Sequence, residues 1–156
     1  MARVAQANRR DLGMDGGFCP VDYANTMPVQ YISGAAIVAL DRWIKTGKAA
    51  PRFAQLKVIG KGEEAVTPFD PQGNSVGGLR SPWVDAPIAR YDWRGECTGG
   101  SGRTYPLTSE QLKALYGDPA TYRRKFAAAV ADAQRRGVLL PQDAQAALRE
   151  AEKVAW

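Results

Sequence analysis

The chain contains no histidine. A Ser-His-Asp or Cys-His arrangement therefore cannot be assembled from its own residues. It holds two cysteines, Cys19 and Cys97, in dissimilar contexts and without Cys-x-x-Cys spacing. Structural zinc sites draw on clusters of Cys and His, so no metal site is expected. The two thiols fit a disulfide or two separate buried groups, because pairing depends on geometry. Long apolar runs are missing too. The longest, Gly34 to Leu40, falls far short of the ~20 residues that cross a bilayer. Arg3, Arg9 and Arg10 are followed by no apolar segment, so no secretory signal is read there. Gly-x-Ser-x-Gly, the nucleophile elbow, does not occur. The nearest run, Gly99-Gly100-Ser101-Gly102, has neither its spacing nor a strand before it. That run also lacks the Gly-Lys-[Ser/Thr] ending of a phosphate-cradling loop and reads as a surface loop.

What is present suffices for one domain with a core: 156 residues, 45% of them hydrophobic, with a formal net charge of +5. The basic residues read as scattered. Their densest groups, Arg123-Arg124-Lys125 and Arg135-Arg136, fall on an amphipathic helical pattern and fit a solvated helix face. No groove pattern of basic and aromatic residues points to nucleic acid.

Residues 1–27 read as an irregular lead-in, because Gly13, Gly16, Gly17 and Pro20 interrupt any periodicity. A single α+β domain is expected over 28–156. It begins with a core helix over 28–46, for which Thr26 is a candidate cap and Gly47 the stop. Its apolar stripe runs through Tyr31 or Ile32, Ala35 or Ala36, Ala39 or Leu40, and Trp43 with Ile44. A hairpin and a motif loop follow over 55–87. The runs Leu56 to Ile59 and Ala65 to Thr67 flank a Gly-containing turn, which is the hairpin signal. A Gly-rich loop is expected over 95–106 and a helical tail over 108–155. Thr108 to Gln111 reads as a capping box, and Asp118-Pro119 as an N-cap with proline in the first turn. Gly117 and Gly137 read as helix stops, with Val138-Leu139-Leu140 as an apolar corner that plugs into the core.

Gly73 to Pro87 is the most unusual stretch, with three glycines and two prolines in fifteen residues. Glycine allows positive φ and close chain approach, while proline fixes φ and removes a donor. Among the carboxylates of the irregular segments (Asp70, Asp85, Asp92, Glu96), Asp85 is the candidate for a partly buried acid. Arg80 is its natural partner, although the Arg80 fork could instead grip a carboxylate or phosphate ligand. Trp83, beside Pro82, reads as a core plug or as a pocket wall.

The run Asp70 to Pro87, DPQGNSVGGLRSPWVDAP, resembles a signature of an α/β-hydrolase-domain family of long, mostly bacterial proteins: D-x-x-G-N-x-x-G-G-[VIL]-R-[ST]-P-x-V-D-x-P. The matching positions include Asp70, Gly73, Asn74, Gly77, Gly78, Arg80, Pro82, Val84, Asp85 and Pro87. Upstream, Cys19-Pro20 and the helix ending Ala39-Leu40-Asp41-Arg42-Trp43-Ile44 are similar to the last helix of the hydrolase core. Downstream, Cys97, Pro106-Leu107-Thr108, Leu115-Tyr116-Gly117 and Gly137-Val138-Leu139-Leu140 are similar to the family's C-terminal tail. The resemblance implies a Cys19–Cys97 disulfide. It also implies a histidine near Val4 to Asp11, where this sequence has none, and a core sheet and nucleophile elbow that it does not contain.

The expected fold is thus α+β and mainly helical, the C-terminal portion of an α/β-hydrolase-like protein. The expected function is that of a hydrolase-related region with no catalytic residue of its own and no cofactor. Asp70, Gly73, Asn74, Gly77, Gly78, Arg80, Pro82, Trp83, Asp85 and Pro87 would form a structural motif. The expected partner is the missing hydrolase core or a second copy of the chain, and the 28–46 helix should then leave apolar surface open. Two alternatives stand beside this reading. One is a small binding module that uses the basic face of the 119–136 helix. The other is one half of an ester or amide hydrolase completed by a partner chain.

Overall fold

A computed structural model describes residues 25–92 and 102–156. Cys19 and Cys97, and with them the disulfide, lie outside the described residues, as do most of the 1–27 lead-in and 95–101 of the Gly-rich loop. The described fold is mainly helical α+β, as expected.

Helix α1 spans Val29–Thr46. Gly47 ends it in the left-handed conformation at φ 70° and donates its N–H to the Trp43 carbonyl, which satisfies one orphan acceptor of the last turn. Thr26 does not cap the helix. Pro28 occupies the N-cap position, and Thr26 bonds instead to Thr104, its N–H lying 2.7 Å from Oγ1. The start of α1 is thereby tied to a strand far along the chain.

The apolar stripe of α1 splits in two. Ala35 is buried, with Tyr31 and Ile32 packed against the core. Ile37, Val38, Leu40, Trp43 and Ile44 are exposed, Ile44 at 77%. Leu40 and Trp43 continue the 4-3 spacing of Val29, Ser33 and Ala36, and all five are exposed. The helix is therefore apolar on two sides, and only one of them is covered.

From Pro51 to Leu79 the chain winds without a regular ladder. Isolated antiparallel bridges join Leu56 to Gly77, Ile59 to Val66 and Phe69 to Ser75. The two runs expected to pair as a hairpin meet only at the Ile59–Val66 bridge, around a 3₁₀ turn at Gly62–Glu64. Helix α2, Pro82–Asp85, is a single turn opened by Pro82. The regular two-stranded ladder lies beyond it. Strand β1, Ala89–Asp92, pairs antiparallel with β2, Arg103–Pro106, in the register Ala89 to Pro106 and Asp92 to Arg103.

Three helices complete the chain: α3 (Ser109–Tyr116), α4 (Pro119–Arg135) and α5 (Pro141–Glu152). The capping box of α3 is closed both ways. Thr108 Oγ1 accepts the Gln111 N–H at 3.2 Å, and Gln111 Oε1 accepts the Thr108 N–H at 2.8 Å. Asp118 caps α4 by accepting the Thr121 N–H at 2.8 Å, and this bond holds its carboxyl below the ordinary value. The core gathers Tyr122, Phe126, Val130 and Ala133 of α4, Ala144, Ala147 and Ala151 of α5, the corner residues Val138 and Leu139, and Trp83 of α2. The small α5 residues let that helix lie close to α4, and the bulk comes from the aromatic side.

The burial pattern makes a direct prediction. Phe126, 2% exposed, meets Trp83 and Tyr122 ring to ring, so Phe126→Ala should cost about 3–5 kcal/mol. Ile44→Ala, on the open side of α1, should stay within about 0.5 kcal/mol. Chemical denaturation of the two variants checks both values. A large loss for Ile44→Ala would mean that this side is already covered.

Candidate functional site

The Gly/Pro stretch folds as two tight turns bound around one arginine. Asp70 makes the first turn. Its Oδ1 accepts the N–H groups of Gln72 at 3.1 Å and Asn74 at 2.8 Å, and its own N–H donates to the Asn74 carbonyl. This is an aspartate turn in which the side chain replaces backbone partners. Gly73 sits within it at φ 80°, where a Cβ would run into the Arg90 side chain.

Asn74 is 2% exposed, and its Oδ1 accepts the Tyr91 N–H at 3.1 Å, so the loop is pinned to the first strand. Gly77 lies where only glycine fits. At φ 81° a Cβ would stand 2.6 Å from the Gln55 carbonyl oxygen and 2.9 Å from the Lys57 nitrogen. Gly78, at φ 68°, packs on Leu56. Its N–H donates to the Gln55 carbonyl at 3.0 Å.

Arg80 occupies the middle. Its Nε donates to Asp85 Oδ1 at 2.7 Å, its Nη1 to the Ser75 carbonyl at 3.3 Å and its Nη2 to the Val84 carbonyl at 3.3 Å. Asp70 Oδ2 lies 3.6 Å from Nη1. The fork that might have held a ligand is thus engaged by its own loop. A second arginine enters from α4. Arg136 donates to the Arg80 carbonyl at 2.9 Å, lies 3.9 Å from Asp85 Oδ2 and pairs with Asp132 at 2.6 Å.

Pro82 and Trp83 are buried. Trp83 stacks on Tyr31 of α1, with ring centroids 5.8 Å apart, and meets Phe126 of α4 edge-on at 6.0 Å. The turn ends at Pro87, whose carbonyl accepts the Tyr116 hydroxyl at 2.8 Å. The loop therefore touches α1, β1, α3 and α4.

Sequence reasoning did not assign Arg136 or Tyr91 to this cluster. Arg136 lies 56 residues from Arg80, and its sequence context alone fits a solvated helix face. Nothing local marks it. The other basic residues of α4 are engaged within the chain as well. Arg123 lies 3.4 Å from Glu152, Arg135 pairs with Asp132, Arg124 donates to Thr121, and Lys125 sits over the Tyr116 ring and donates to the Leu115 carbonyl.

A cleft of about 160 Å³ opens beside the loop, lined by Asn74, Arg80, Tyr91 and the apolar Met27, Leu56, Leu79 and Val84, among others. Its chemistry is limited. Burial pushes the Tyr91 hydroxyl up to about 12, so it stays protonated near neutrality. Ser81 is fully buried and its hydroxyl makes no hydrogen bond among the described residues, so no base activates it as a nucleophile. Among the described residues no group of His, Cys, Asp and Glu is placed to hold a metal ion, and no helix is long and apolar enough to cross a membrane.

A family model described as an alpha/beta hydrolase domain matches residues 3–149, and the chain belongs to that family. No curated protein and no solved structure matches the chain.

Two substitutions probe the loop. Gly77→Ala adds a steric clash with backbone to the strain of positive φ and should destabilise by more than about 2 kcal/mol. Gly47→Ala, also at positive φ but with nothing within 4 Å, should cost about 1–2 kcal/mol. Asp85→Ala leaves Arg80 without its shortest partner and, because the pair is solvent-exposed, should cost about 1 kcal/mol or less. Thermal melts rank the three, and equal values for the two glycines would refute the clash.

Proposed function

We propose that this chain is a hydrolase-family region that does not catalyse on its own, and that it docks on a hydrolase core. The observation that carries the reading is α1. A helix with apolar residues on two sides is suited to burial on both, and here one side packs on the core through Tyr31, Ile32 and Ala35 while the other stays open. Family membership supports a hydrolase core sheet as the partner of such a helix.

In this reading the Asp70–Pro87 loop is a structural collar. Asp70, Gly73, Asn74, Gly77 and Gly78 shape it, Arg80 and Asp85 lock it, and Pro82, Trp83 and Pro87 seat it on the helices. The engagement of Arg80 by four of its own loop's acceptors supports this role over that of a ligand grip. The binding module built on the basic face of α4 finds less support, because Arg123, Arg135 and Arg136 pair with carboxylates of the chain and Arg124 and Lys125 donate to its own oxygens.

Short acyl esters test the reading directly. The chain alone should show no turnover above the buffer rate, and turnover by the chain alone would overturn the proposal. Turnover that appears only after addition of a chain bearing Gly-x-Ser-x-Gly would assign it instead as one half of a two-chain hydrolase.

A further inference from the structure

The charge of the chain is unevenly placed. Between Ile37 and Lys61 stand six basic residues, Arg42, Lys45, Lys48, Arg52, Lys57 and Lys61, against the single acid Asp41. This stretch alone accounts for the chain's net charge of +5. Lys45 pairs with Asp41 at 2.9 Å. The other five are exposed and make no ion pair among the described residues, unlike Arg123, Arg135 and Arg136 of α4. They alternate along the chain with exposed apolar side chains: Leu40, Trp43, Ile44, Leu56, Val58 and Ile59.

We infer that the surface covering this stretch is a protein face with an apolar centre and a rim of carboxylates. The inference rests on the docking reading above and adds the chemistry of the partner. Five exposed cations that make no ion pair among the described residues, interleaved along the chain with exposed apolar groups, call for opposite charge on the covering face. A second copy is the wrong partner. A two-fold pair through this surface would set the same cations against one another. Lipid fits less well, because the N-terminal half of α1 is packed on the core through Tyr31 and Ile32 and is not free to lie in a membrane interface.

The test titrates the whole chain against the sheet-and-elbow core of a longer member of the family. Calorimetry is run at about 0.1 M and about 1 M NaCl, between which the screening length falls from ~10 Å to ~3 Å. Affinity should drop by roughly tenfold or more with salt. The variant R42E/K48E/R52E should lose a similar factor at the lower salt, while R124E, an exposed reversal on α4, should bind as the parent does. Trp43→Ser should weaken binding at both salt levels.

Complete absence of binding by the parent chain would overturn the docking reading and this inference with it. Binding that ignores both salt and R42E/K48E/R52E would overturn the inference alone and leave docking in place. An equal loss in R124E would reduce the effect to net charge and overturn it too. Flotation with phosphatidylcholine and phosphatidylglycerol vesicles, or a dimer by sedimentation that Trp43→Ser abolishes, would assign the surface to lipid or to a second copy and refute the acidic protein face.

Discussion

The Arg80 guanidinium spends its donors on two backbone carbonyls and a carboxylate, with a second carboxylate beside it. These acceptors come from both sides of Arg80 in sequence, so one planar group closes the Asp70 turn onto the α2 turn. Such a fork holds direction as well as distance, which a lysine ammonium would not. The arrangement also resolves a problem set by the composition. A loop with prolines and few ladder bonds leaves carbonyls without partners, and Arg80 supplies donors to those of Ser75 and Val84. Arg136 then supplies one to the carbonyl of Arg80 itself.

The consequences reach the core through Trp83. With the α2 turn held by Arg80, the Trp83 ring is set between Tyr31 and Phe126. That contact links the first helix to the fourth through Trp83, although the rings of Tyr31 and Phe126 lie far apart in the chain. It also decides which side of α1 is covered. The Tyr31 side is taken by Trp83, and the Leu40 and Trp43 side is left open. The exposed apolar side of α1 thus follows from how the Asp70–Pro87 loop is seated.

Among the described residues, the polar groups of the loop and cleft are enclosed or engaged by their neighbours. The serine of the loop is buried and its hydroxyl makes no hydrogen bond among the described residues, burial raises the cleft tyrosine's pKa further to about 12, and the arginine is engaged by its neighbours. Belonging to a hydrolase-domain family therefore does not by itself locate a reaction in these residues, because function resides in a site and not in a fold.

The sequence by itself determined the helical tail. The Thr108–Gln111 box, the Asp118-Pro119 start and the Gly117 and Gly137 stops act within a few residues of one another, so their chemistry is complete before any tertiary contact forms. It also brought Arg80 and Asp85 within reach, only five positions apart. Tertiary structure decided the rest. The β1–β2 ladder joins segments rich in turn residues, and pairing across a loop leaves little local signature. Thr26 had a free choice between capping α1 and bonding Thr104, and the fold made it. Arg136 entered the collar across 56 residues of chain. The 3.6-residue period showed that α1 is apolar, but a period has no means of naming which side meets the core. Only the placement of Trp83 settled that, because burial is a property of what lies opposite.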